Sequence, residues 1–387
     1  MGPGFSPLDR VLGVLPQTSF PPPVIALAVQ LGTRLPFAEA ASVLTETRGI
    51  SMDHETLRRW TERAGHLAEQ ATDAAVDAWY ASYPASPPGP ALQVVSVDGA
   101  MVPLQHGVWA EVRTLAIGEV TRDAIGQSQT GTLSYVSRLT DAASFGDVST
   151  LETHRRGTRA ATTVVAVTDG AEWIQGWIDG QCADAVRILD FAHAVEHLSA
   201  VAKVRFGAGT AAASEWLGVQ AHALRHGQEE TVLATLAELG TIPGEAGAVA
   251  TATQQYLARR RDHIRYADFA TAGYPIGSGC VESANKTIVE ARLKGAGMHW
   301  RRANVTPLLE LRTMLRNERW NERWPTIWAG LQRRMWRSPR LVPVEPPVPP
   351  PASTVAPAPP CRQPTIVNGK PTPDHPWRKS SPFRAKP

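Results

Sequence analysis

The chain has 387 residues, 43% of them apolar and 19% charged, with a formal net charge of +3. That length and apolar content can bury a core and predict two or three modules. No basic-then-apolar leader opens the sequence, and no unbroken apolar run reaches the roughly 18 residues of a membrane span, so a cytoplasmic protein without a membrane partner is expected. Cys182, Cys280 and Cys361 lie far apart with no CxxC pair, which disfavours a disulfide framework or a cysteine zinc site.

The charge is unevenly placed. Ten Arg face three Glu between His299 and Arg340, and the tail beyond is also basic, which leaves the first 298 residues net acidic. A basic C-terminal stretch on an acidic body points to an anionic partner, or more plainly to a solvated helix face.

Residues 1–90 read as helical, with a candidate helix-turn-helix at about 36–66. One short helix carries Phe37 to Leu44, Gly49-Ile50-Ser51 makes the turn, and a second short helix starts at Asp53 and offers Arg58 and Arg59 to DNA. A plain helical hairpin reads the same way. Pro-rich Tyr83–Pro90 then punctuates the chain. Residues 91–192 carry strand patterns at 92–97, 109–117, 134–139, 162–167 and 185–189, with a helix around 143–161, and predict a mixed α/β sheet. Residues 193–273 show no strand signal and predict an all-helical block. Tyr274-Pro-Ile-Gly-Ser-Gly279 ends it, and 274–338 holds basic helices rich in Trp and Arg. The low-complexity, Pro-rich segment 339–387 predicts disorder or polyproline.

Asp98 ends the apolar run Val-Val-Ser-Val, and Asp169 ends Thr-Thr-Val-Val-Ala-Val-Thr; a Gly follows each. Acids at the carboxyl ends of strands are natural metal ligands, although Asp-Gly after a strand is also ordinary turn chemistry. Glu282 lies in Gly277-Ser-Gly-Cys-Val-Glu-Ser-Ala-Asn-Lys286, a Gly-rich turn opening a helix. Such a helix end favours phosphate, and a first-turn Glu equally serves simply to stabilise it.

The strings SVDG, VTDG, LDFAH and GSGCVESANKTIVEARLKGAGMHW, with DGAMVPL and GVWAEV beside them, span roughly 90–320. Together they resemble the DDE-type bacterial insertion-sequence transposases related to the Mutator group. The resemblance implies a ribonuclease H-like catalytic domain whose sheet is interrupted by the helical block between the second and third acids. It puts the family's catalytic, metal-binding acids on Asp98, Asp169 and Glu282, holding two Mg²⁺ or Mn²⁺ ions roughly 3.5–4 Å apart. These would activate a water or a DNA 3′-hydroxyl against a phosphodiester, with no covalent protein–DNA intermediate. Asp190 and His193 match a short motif that supports the site. The implied partner is double-stranded DNA, both the element's terminal inverted repeats and the target, bound by a homodimer on paired ends and so associated with the nucleoid. Lys286, Arg292, Lys294, Trp300, Arg301 and Arg302 follow Glu282 and would hold the DNA. Trp320, Trp324 and Trp328, four residues apart, share a helical face and are expected in the core.

Relatives of this kind carry further N-terminal sequence with a cysteine-rich zinc-binding part, whereas this chain begins Met1-Gly-Pro-Gly-Phe-Ser. A shortened remnant that binds DNA without cutting it is therefore one alternative. A zinc metallopeptidase is the other, because His193-Ala-Val-Glu196-His197 spells an HxxEH string. His222 and His226 repeat that spacing as helices casually do.

Overall fold

Three helices precede the sheet. The computed structural model describes residues 15, 18, 20–123 and 128–336 (without the side chains of 335 and 336), and the backbone of 366–367 and 370–371. Helix α1 (Pro22–Arg34) opens on a proline, whose missing N–H costs nothing in a first turn. Helix α2 (Phe37–Arg48) ends on Gly49 at φ +66°, a left-handed cap that favours glycine. Helix α3 (His54–Ser82) begins where Asp53 accepts from the N–H groups of Glu55 and Thr56. It runs 29 residues, far beyond the short second helix expected to end near 66. Leu57, Trp60, Ala64, Ala68, Thr72, Val76 and Trp79 are all buried along it, so one continuous stripe sustains the helix.

The sheet comprises β1 (Leu92–Pro103), β2 (Trp109–Arg122), β3 (Ser128–Thr130), β4 (Ser134–Arg138), β5 (Thr163–Thr168) and β6 (Val186–Leu189). Its order is β3-β2-β1-β5-β6, with β4 also pairing β2. β1, β2 and β4 are successively antiparallel, while β5 and β6 lie parallel to β1. The molecule is thus α/β with a mixed six-stranded sheet. The first two strands outrun the apolar segments that signal them: β1 extends along the start of β2 as far as Pro103↔Trp109, and the end of β2 pairs with the start of β1 and with β3.

Both faces of the sheet are covered, and side-chain alternation decides which residue goes where. Val95, Val97 and Ala166 face helices α4 (Ala142–Arg155) and α5 (Glu172–Cys182), packing on Phe145, Ile174 and Trp177. Val94, Val165, Val167 and Ile188 face the other way. There they meet a run with no strand: α6 (Phe191–Phe206), α7 (Ala211–Arg225), α8 (Glu229–Gly240), α9 (Glu245–Ala258) and α10 (Tyr266–Ala272). Ala100 and Val102, farther along the same face of β1, pack on Val281, Ile288 and Leu308. Those three come from α11 (Gly279–Ala284), from the π-helix Asn285–Glu290 that continues it into α12 (Ala291–Leu293), and from α13 (Arg302–Arg316).

A last helix, α14 (Trp320–Trp336), returns to the N-terminal bundle, where Ile327 and Leu331 join Ile25, Leu44 and Leu57. Trp320 is buried, Trp324 and Trp328 pack beside it, and the first two rings stack at 4.9 Å, as their common face predicts. Residues 1–337 form one compact unit and 338–387 a second. In the second unit β7 (Ile366–Val367) and β8 (Lys370–Pro371) pair antiparallel, within a segment read as disorder or polyproline. The rest of that reading falls outside the described residues. No helix among the described residues is long and apolar enough to cross a membrane.

Candidate active site

The alternation that sends Val94, Val165, Val167 and Ile188 to one face also sends Asp98, Asp169 and Asp190 there. β1 pairs with β5 only over Leu92–Val95, so Asp98 lies just past the point where the two strands part. Asp169 directly follows β5 and Asp190 directly follows β6. Three neighbouring parallel strands therefore deliver three acids to one end of the sheet, where α/β proteins gather ligands. Glu282, in the first turn of α11, comes to the same place from far along the chain. A cavity of about 160 Å³ is lined by Asp98, Asp169, Asp190, His193, Glu196 and Glu282.

Burial pushes the Asp98 carboxyl above the ordinary carboxylate range, and the negative charges of Asp169 and Glu282 push it further. Two donors oppose that shift. Asp98 Oδ1 accepts from its neighbour Gly99 N–H at 2.7 Å, and Oδ2 accepts from Asn285 Nδ2 at 2.8 Å. Asn285 is the buried first residue of the π-helix, and its Oδ1 has no partner among the described residues. A π-helix is uncommon and recurs at functional sites. Asn285 was not among the residues singled out by sequence, although it lies within the matched string.

Asp169 Oδ1 accepts from Ala171 N–H at 2.8 Å. Its carbonyl accepts from Tyr256 Oη at 2.7 Å, and the next carbonyl, of Gly170, accepts from Arg260 Nη2 at 2.8 Å. Gly170 needs to be glycine, with φ +77° and Arg260 Nε only 2.6 Å from where a Cβ would stand. Gly99 is not in a turn at all: it is an interior residue of β1, and a Cβ there would strike Glu111. Both glycines admit protein neighbours rather than leaving open backbone beside the acids.

Asp190 is 4% exposed and joins two segments. Its Oδ1 accepts from His193 N–H at 2.7 Å, capping α6, and its Oδ2 accepts from Ser278 N–H at 2.5 Å, fixing the turn that opens α11. His193 lines the cavity with Nδ1 3.4 Å from Glu196, and its ring meets His197 edge-on at 4.9 Å. His197 stacks on Tyr256 at 4.0 Å, and burial with the nearby charges of His193 and Arg260 holds it below the usual histidine range. Glu196 is 76% exposed, and its ion-pair partner is His193 one turn earlier on the same helix.

Glu282 Oε2 lies 3.8 Å from Lys286 Nζ, and both side chains are well exposed. As the side chains stand, no three His, Cys, Asp or Glu among the described residues are grouped closely enough to hold a metal ion.

The residues expected to grip DNA divide sharply. Arg301, Arg302 and Lys286 are exposed; Lys294 is exposed as well, but paired with Glu290 at 2.6 Å. Arg292 is a correction. It is 2% exposed, donates to the Gly32 carbonyl, and lies over the rings of Phe37 and Trp300, so it cannot grip a DNA backbone running outside the molecule. Trp300 is half-buried, its Nε1 donating to the Leu293 carbonyl and its ring covered by Arg292, so it is not a free stacking platform. On α3, Arg58 is matched by Glu55 at 2.7 Å and Glu62 at 2.8 Å, whereas Arg59 is exposed without an acidic partner among the described residues.

No family model matches the chain, and no curated protein matches it.

Proposed function

We propose that the protein is a DDE-type DNA transposase, which cleaves DNA strands at the ends of its element and joins them to a target. One observation carries the reading. Asp98, Asp169 and Glu282, picked out by motif resemblance, line a single cavity, and Asp98 feels the charge of both others. Like charges brought to one cavity raise each other's cost unless a cation shares the site, so their convergence needs a reason beyond stability. Further support comes from the strand order and from the helical run between β6 and α11, which agree with the interrupted ribonuclease H-like sheet that the resemblance implies.

The donor set of these three residues is entirely carboxylate oxygen, which suits Mg²⁺ or Mn²⁺ and not zinc. Asp98, Asp169 and Glu282 fit such an ion by chemistry and by their common cavity, with Glu282 turned toward Lys286 in the present arrangement. A bound divalent cation would supply an acidified water or hydroxyl and charge neutralisation at the phosphodiester. The chain does the positioning. Asn285 fixes the Asp98 carboxylate, Tyr256 and Arg260 fix the Asp169 backbone, and Asp190 holds the turn before α11 against the end of the sheet. Exposed Arg301, Arg302 and Arg59 are the cations left to meet phosphate.

The test is nicking of plasmid DNA that carries the sequences flanking the gene. Nicking should require Mg²⁺ or Mn²⁺, stop with a chelator, and vanish in Asp98→Asn. Nicking that survives in Asp98→Asn, or that ignores the chelator, overturns the reading.

A further inference from the structure

A second cavity, of about 430 Å³, opens where α2 and α3 meet the segment after Glu282, and its walls include Phe37, Arg58, Glu62, Arg292, Arg301 and Asn304. The volume falls within the range of small-molecule sites. Three positive features converge on it. Arg292 is buried there, with hydrogen bonds only to the Gly32 carbonyl, and no carboxylate among the described residues forms an ion pair with it. Behind it Arg312 is spent on the carbonyls of Thr33, Thr287 and Ile288, again without an acid. Burial and the Arg312 charge draw Arg292 down to about 10, so it remains a cation at neutral pH. Helix α13 begins at the same wall, with Arg301 as its N-cap, no side chain capping it and no acid in its first turn. The Asn304 N–H turns back to the Arg301 carbonyl, while the N–H groups of Arg302 and Ala303 and the positive dipole end have no acceptor among the described residues. Arg301 itself is exposed, and its side chain forms no hydrogen bond or ion pair among the described residues.

One acid lines this cavity, Glu62, and it is already occupied by Arg58 Nη1 at 2.8 Å and Asn304 Nδ2 at 2.7 Å. The cavity thus presents positive charge and open N–H donors with no negative charge left to balance them. Buried charge without a counter-charge is costly, and an anion entering from solvent removes that cost. The two non-bridging oxygens of a phosphodiester, or the three of a monoester, suit an Arg fork and a helix N-terminus together.

We propose that this cavity is a phosphate subsite, seating a phosphodiester of a DNA strand between the N-terminal helices and the segment that follows Glu282. The DNA strand as the source of the phosphate rests on the transposase reading; the phosphate chemistry does not. The site would couple strand capture to the catalytic helix, since Trp300 is pinned to the end of β1 through Pro103 and Gln105 while Arg312 grips the carbonyls of the π-helix.

The experiment measures anisotropy of a short fluorescein-labelled duplex with the Asp98→Asn protein in EDTA, so no cleavage enters and a failed nicking assay stays a separate result. Arg301→Glu should weaken binding about tenfold and lower the salt slope by about one phosphate, with Arg301→Lys largely restored. Arg159→Glu, an exposed position away from the cavity, should change affinity about twofold or less. Equal effects of the two charge reversals overturn the proposal. Thymidine monophosphate is the second probe. If it displaces the duplex from the unreversed protein but not from Arg301→Glu, the subsite takes free nucleotides; if the Arg301 effect persists without displacement, it takes a phosphate only within a strand.

Discussion

Tyr256→Phe isolates the link between the helical block and the acid cavity. The change removes one donor, the hydroxyl that meets the Asp169 carbonyl at 2.7 Å, and keeps the ring that stacks on His197 at 4.0 Å beneath Arg260 at 3.9 Å. Losing a neutral hydrogen bond costs about 0.5–1.5 kcal/mol, and a half-buried carbonyl left without its donor raises the figure to about 1–2 kcal/mol. Urea titration should show that loss as a lower midpoint at unchanged slope. Hydrogen exchange should quicken in the peptide covering 168–174, because of the two side-chain ties from the helical block to Asp169 and Gly170 only that from Arg260 to the Gly170 carbonyl then remains. Should the whole loss bear on Asp169 during cleavage, nicking falls by about five- to thirtyfold. A midpoint within about 0.5 kcal/mol of the parent, with no change of exchange in 168–174, would refute the idea that the helical block positions Asp169.

Arg319→Ala strands Glu152, whose 6%-exposed carboxylate accepts both guanidinium bonds at 2.6 and 2.7 Å, and should cost about 3–5 kcal/mol in chemical denaturation; adding Glu152→Gln should recover part of it. Burial pushes the Cys182 thiol from 9.0 up to about 12, so a thiol reagent at about pH 8 should label it only after denaturation. The sign of the linked effect is fixed: between pH 9 and about 12 the unfolded thiol ionises while the folded one stays protonated, so stability falls with rising pH and Cys182→Ala removes that slope. Asn285→Asp sets a carboxylate where the amide now donates to Asp98 at 2.8 Å, and should lower the thermal midpoint. Because a protonated carboxyl ends the repulsion, the deficit should shrink as pH falls from about 7 to about 4.

Much of the sheet was legible because alternation is a local property. Val94, Ser96 and Asp98 share a face by parity, as do Val165, Val167 and Asp169, so local pattern alone puts two acids at one end of a sheet. The helical run from 191 to 272 was legible for the complementary reason, the absence of any strand pattern. The long α3 was not, because its stripe of Ala64, Ala68 and Thr72 is apolar only weakly and becomes a core through α13 and α14. The pairing of Ile366–Val367 with Lys370–Pro371 was not legible in a segment where prolines outweigh a single Asn-Gly signal in the sequence.

Charge was the least legible quantity. Arg292 and Arg301 are nine positions apart in one basic stretch, yet one is buried against Gly32 and the other is exposed. A sequence fixes how many charges a segment carries, whereas the solvation of each depends on residues hundreds of positions away. The same holds for the acids. The chain by itself determined which faces Asp98 and Asp169 occupy and that Glu282 opens a helix. Only tertiary packing decided that Glu282 returns to them, that Asn285 holds Asp98, and that Tyr256 holds Asp169, because each of those contacts joins segments that local periodicity cannot relate.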